Sequence, residues 1–144
     1  MAEAVFKHLL RDQPDFTIDS RGTGAWHIGK SPDPRTVAAC RDRGIACSGR
    51  GAQLTSNDFL TFDWLLVMDD DNLANATAIA PKPQTDETLA ELRKLGDFDP
   101  VATGADLADP YYGGADGFPP LLEQTIRACR GFLKTTYDLE SPEL

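Results

Sequence analysis

An α/β fold built on a parallel sheet is predicted by three features: an apolar run that ends abruptly in acids, amphipathic helices on either side of it, and strand-helix alternation between them. The run is Asp63-Trp64-Leu65-Leu66-Val67-Met68, followed by Asp69-Asp70-Asp71-Asn72. A strand buried on both faces reads as continuous apolar sequence and delivers polar residues at its carboxyl end. The first helix is carried by Ala2, Val5, Phe6, Leu9 and Leu10, with Glu3, Lys7, His8 and Arg11 on its other side. The last runs through Leu121, Leu122, Ile126, Cys129 and Leu133 after Pro119-Pro120, which places Cys129 on the apolar face as inert core.

Between these anchors the elements follow in order. The first helix has no Ser, Thr, Asp or Asn before it to cap its free N–H groups, and such an N-terminus is a natural anion site. His8, with no partner nearby in sequence, reads as a surface or core-edge residue. Phe16 and Ile18 read as a short strand leaving through Ser20-Arg21-Gly22-Thr23-Gly24. Trp26 then sits in a glycine-flanked loop, as packing or as a pocket wall. Ser31-Pro32-Asp33-Pro34 marks a helix start and Gly44 its end. Ile45 and Gln53-Leu54 suggest a further buried crossing, and Thr55-Ser56-Asn57-Asp58 starts a short helix carrying Phe59, Leu60 and Phe62. The three aspartates after the central strand suit a metal or a helix cap; capping is preferred, because a helix through Leu73, Ala76 and Ile79 follows directly. Pro81-Lys82-Pro83-Gln84 reads as a linker. Residues 89–98 are left open, since Leu89, Leu92 and Leu95 suit a helix while the alternation calls for a strand.

Composition limits the function. The chain has 144 residues, 41% of them apolar, enough for one domain over residues 1–137 with an acidic tail at 138–144. Its 23 acidic and 14 basic residues give a net charge of -9, against a nucleic-acid or anionic-membrane partner. No apolar run approaches the roughly 20 residues of a membrane span, so a cytoplasmic location is expected. Cys40, Cys47 and Cys129 lack the spacing of a disulfide framework or a zinc site, and no cofactor or metal is expected. The sharpest chemical feature is Asp109-Pro110-Tyr111-Tyr112-Gly113. Proline drives the preceding residue towards extended backbone, so the Asp109 carboxyl is aimed, and the two rings offer flat walls for an aromatic substrate. The alternative is an ordinary Asp-Pro turn with half-buried tyrosines.

Taken in order, Met1-Ala2-Glu3-Ala4-Val5-Phe6, Asp19-Ser20, Gly22-Thr23-Gly24, Pro32-Asp33-Pro34-Arg35, Phe62-Asp63, Met68-Asp69 and Asp109-Pro110-Tyr111-Tyr112-Gly113 resemble the low-molecular-weight protein-tyrosine phosphatases over nearly the whole chain. The resemblance implies a three-layer αβα fold with a four-stranded parallel sheet ordered 2-1-3-4. It implies hydrolysis of phosphotyrosine through a cysteinyl phosphate, formed by the cysteine of a Cys-x5-Arg-Ser/Thr loop. Asp109 would be the general acid and then base; Trp26, His27, Tyr111 and Tyr112 would bind the substrate; Ser20 would brace the phosphate loop. The implied substrate is a phosphotyrosine protein or other aryl phosphate, with a tyrosine kinase as a candidate partner.

This sequence departs from that family at its start. The nucleophile loop and first central strand belong just before the residue matching Met1, and none of the three cysteines has arginine at the required spacing. Gly49 and Ala52 stand where many members carry a histidine and an arginine. The expectation is a chain whose start lies upstream or which was cut short, inactive as written. Two alternatives are a pseudophosphatase that binds without chemistry and an arsenate-reductase-like thiol enzyme with Cys40 and Cys47 as its resolving pair.

Overall fold

The computed structural model describes residues 1–24, 28–82, 89–110 and 113–141. Helix α1 (Ala2–Leu9) buries Ala4, Val5, Phe6 and Leu9, while Glu3 and Lys7 pair across one exposed turn; as expected, no side chain caps its start. Helix α2 (Pro34–Asp42) is capped by the Asp33 carboxylate, which accepts from the Arg35 N–H at 2.8 Å, and is closed by Gly44 at φ +72°. Helix α3 (Asp58–Thr61) stops one residue before Phe62. Strand β1 (Trp64–Val67) leads to helix α4 (Asp70–Ile79), whose cap is Asp69, accepting from the Asn72 N–H at 2.7 Å. The capping reading of the aspartates therefore holds.

The open assignment at 89–98 resolves into two elements. Strand β2 (Glu91–Lys94) pairs in parallel with β1, Trp64 opposite Glu91 and Val67 opposite Lys94, and a 3-10 turn follows at Leu95–Phe98. Helix α5 (Phe118–Tyr137) takes both prolines into its first turn, where the missing N–H groups cost nothing.

The alternation of β1 produces the layers. Trp64, Leu66 and Met68 pack on the cluster built by α1, α2 and α5, and Leu65 and Val67 pack on Leu54, Phe59 and Ala76 of the opposite face. Helices thus cover both faces of the sheet. Phe132 of α5 is the aromatic hub, edge-on to Phe6 at 5.7 Å, Trp64 at 5.2 Å and Phe98 at 5.1 Å. Past α5, Asp138 adopts φ 50° and the Leu139 N–H returns to the Leu133 carbonyl at 3.2 Å.

The sheet differs from the expectation in extent. Among the described residues it has two strands, β1 and β2. Phe16 and Ile18, read as a strand, pack on the core without joining a ladder; apolar alternation makes a strand only when a hydrogen-bonding neighbour is present. The chain pairs instead at two isolated parallel bridges, Gly22 with Gln53 and Ile28 with Gly51.

The turn after β2 is tied to α5 by an ion pair. Asp99 is fully buried and accepts from Arg127 Nε at 3.2 Å and Nη2 at 3.0 Å, and from the Val101 N–H at 2.9 Å. Burial pushes its carboxyl up, but the Arg127 guanidinium and the Val101 and Ala102 N–H groups outweigh this and hold it below the ordinary value. A depressed folded-state value gives stability that is present above the unfolded-state pKa and is lost as pH falls through the folded one. Asp99→Asn should cost about 2 kcal/mol at neutral pH, with the gap to the parent closing below about pH 4. Urea midpoints measured across that range check both statements.

Candidate active site

Asp109 lies at the carboxyl end of β1, where open α/β sheets place their ligands. The Leu107 N–H donates to the Met68 carbonyl at 2.8 Å and the Leu107 side chain is buried, so the chain two residues before Asp109 is fixed to the strand end. Asp109 itself is exposed, and with the described residues it makes neither a hydrogen bond nor an ion pair.

The turn carrying it is clamped from α2 and α5. Pro110 presses on Gly117, where an added Cβ would come within 2.7 Å of the Pro110 Cβ. The Gly113 N–H donates to the Pro110 carbonyl at 2.8 Å, and Arg35 Nη1 donates to the Gly113 carbonyl at 3.2 Å. Arg35 is itself held by a forked pair with Asp33, Nε to Oδ1 at 3.1 Å and Nη2 to Oδ2 at 2.8 Å, and its guanidinium lies 4.7 Å from the Phe118 ring centroid. The Arg35 side chain, with the N–H bond of the helix cap, holds the Asp33 carboxyl below its usual range. Arg35→Ala should therefore loosen the Asp109 turn, with a loss of about 1–2 kcal/mol and faster amide exchange at Gly113. Unchanged exchange at Gly113 would count against this role.

Ser20 belongs to a second group. Its hydroxyl donates to Glu3 Oε1 at 2.6 Å, while Lys7 Nζ holds Glu3 Oε2 at 2.6 Å. Gly49, at φ +118°, faces the same carboxylate, where a Cβ would stand 3.7 Å from Oε1. Ser20 is thus brought to the first turn of α1, and among the described residues no hydrogen bond joins it to Asp109. Trp26, His27, Tyr111 and Tyr112 lie outside the described residues. Sequence reading missed Glu3 as the partner of Ser20, although an acid in the first turn of an uncapped helix was a signal. It also missed Arg35, whose acceptor is 78 residues away.

Among the described residues no group of three or more His, Cys, Asp or Glu side chains could hold a metal, and no helix is long and apolar enough to cross a membrane. The arrangement is an exposed carboxyl on a clamped turn, at the strand end of an αβα protein. That defines an α/β protein with a candidate acid-base group near the carboxyl end of its sheet.

Residues 1–140 match the family described as low molecular weight phosphotyrosine protein phosphatase, and the chain belongs to that family. The low molecular weight phosphotyrosine protein phosphatase of Sus scrofa is 38% identical over 137 residues, spanning 93% of this chain and 85% of that protein. The Schizosaccharomyces pombe protein of the same name is 38% identical over 139 residues, 94% of this chain and 86% of its own length. A protein tyrosine phosphatase from Entamoeba histolytica, crystallised with Hepes in its active site, superposes with a TM-score of 0.85 at 27% identity, covering 95% of this chain and 87% of its own.

Proposed function

We propose that Asp109 is the proton donor of a protein-tyrosine phosphatase site, acting on a phosphotyrosine protein or another aryl phosphate. The observation that carries this reading is the exposed Asp109 carboxyl, without a partner among the described residues, on a turn locked between α2 and α5. In this reading a cysteine thiolate takes the phosphoryl group and Asp109 protonates the departing phenolate. Asp109 then draws a proton from the water that hydrolyses the cysteinyl phosphate. A phenolate, with a conjugate acid near pH 10, gains much from that proton. Ser20 braces the phosphate loop from beside the first turn of α1, where its hydroxyl donates to Glu3, and Trp26, His27, Tyr111 and Tyr112 contact the substrate ring. A cytoplasmic location and a partner tyrosine kinase fit the same reading.

The sequence of residues 1–144 contains no Cys-x5-Arg, so this stretch alone supplies the acid and not the nucleophile. A further strand between Phe16–Ile18 and the free edge of β1 would complete a four-stranded sheet in the order 2-1-3-4. Support comes from β1 pairing, among the described residues, with β2 alone and from Phe16 and Ile18 joining no ladder there. Aryl phosphate hydrolysis, with and without such a segment joined ahead of Met1, tests the reading.

A further inference from the structure

Cys40 and Cys47 take no part in the chemistry assigned to Asp109. Cys40 sits near the end of α2 and is fully buried. Gly44, with φ +72°, turns the chain, and the Ile45 N–H donates back to the Cys40 carbonyl at 2.9 Å. Beyond that bond burial alternates: Ile45 is buried, Ala46 exposed, Cys47 half-buried and Ser48 exposed. Residues two apart in an extended segment share a face, so Cys47 points with Ile45 towards α2. A cleft of about 370 Å³ is lined by Val37 and Arg41 of α2 together with Cys47, which sets Cys47 against the helical turn that contains Cys40. Both side chains pack on the same core cluster. Burial first, and then the neighbouring Cys47 thiol, push the Cys40 thiol up to about 11.

We propose that Cys40 and Cys47 form a dithiol modification site that hydrogen peroxide oxidises to an intramolecular disulfide. Cys47, which reaches the cleft, reacts first: its thiolate sulfur attacks the peroxide, the O–O bond breaks, and sulfenic acid and water form. The Cys40 sulfur then displaces the hydroxyl group from Cys47; the S–S bond forms, the S–O bond breaks, and the Cys40 proton leaves with that hydroxyl as a second water. Two thiols lose two electrons and one hydrogen peroxide becomes two waters. The bond would pin the end of α2 to the segment that runs on through Gly49, opposite Glu3, and Gly51, bridged to Ile28. Cys129, buried within α5 and with its thiol pushed well above its usual range by burial, is the internal control.

Native residues 1–144 exposed to hydrogen peroxide, then denatured, alkylated and digested with trypsin, test this. The three free thiols should fall to one, that of Cys129, and peptide 36–41 should be recovered linked to peptide 44–50 within a single chain. Cys47→Ser under the same exposure should leave both remaining thiols open to alkylation. The proposal is overturned by an unchanged thiol count or by Cys47 sulfinic acid beside a free Cys40. A linkage that includes Cys129 or joins two chains overturns it equally.

Discussion

Purified residues 1–144 should release no phosphate from p-nitrophenyl phosphate above the rate without protein, and Asp109→Asn should leave that baseline unchanged. The reaction needs a thiolate with an arginine placed to bind the phosphoryl oxygens. Six residues beyond Cys40, Cys47 and Cys129 stand Ala46, Gln53 and Thr135, so none has the arginine. Burial adds a second obstacle, because it pushes the Cys40 thiol up to about 11 and raises that of Cys129 further, leaving both protonated near neutral pH. Joining a strand and a Cys-x5-Arg-Ser/Thr loop ahead of Met1 should bring in turnover. In that longer chain Asp109→Asn should lower kcat on the order of 10²- to 10⁴-fold, the usual worth of a positioned proton donor. Loss confined to KM, or activity of residues 1–144 that Asp109→Asn abolishes, would refute the assignment.

Gly131→Ala should destabilise the protein by about 3 kcal/mol and lower Tm by roughly 10 °C, although propensity alone argues for the opposite sign. Alanine inside a helix is ordinarily favoured over glycine by about 1 kcal/mol. Gly131, however, is the point where α5 meets the turn after β2. A Cβ there would stand 3.0 Å from the Phe98 carbonyl carbon, and closer still to its oxygen. That backbone has little freedom to retreat, since Asp99 next to it is pinned by Arg127 four residues before Gly131. Gly114 is the control: a Cβ there meets nothing within 4 Å and its φ of -72° suits any residue, so Gly114→Ala should shift Tm little. Equal effects at the two positions in thermal melts would show that the close approach to Phe98 does not matter.

Much of this protein could be read one segment at a time. The apolar stripe of α1, the Asp33 cap and Gly44 stop of α2, the apolar run of β1 and the Asp69 cap of α4 each lie within a few residues, and each formed. The ordered motifs ending in Asp109-Pro110-Tyr111-Tyr112-Gly113 were enough to place the chain in its family. Residues 89–98 were ambiguous because Leu89, Leu92 and Leu95 fit either period; pairing with β1 selected the strand, and Leu95 turned into the 3-10 segment. Phe16 and Ile18 failed in the reverse way, with a strand-like pattern and no ladder partner among the described residues.

The surroundings of the candidate site were the least legible part. Sequence alone singled out Asp109 as the candidate acid, because the proline after it restricts its backbone, a purely local steric effect. Only the tertiary structure decided what holds that acid in place. The clamp consists of Arg35 reaching Gly113 and Pro110 meeting Gly117, together with Leu107 bonded to Met68. The partners in such contacts are brought together by packing of whole elements, and no periodicity or cap within either segment encodes the other.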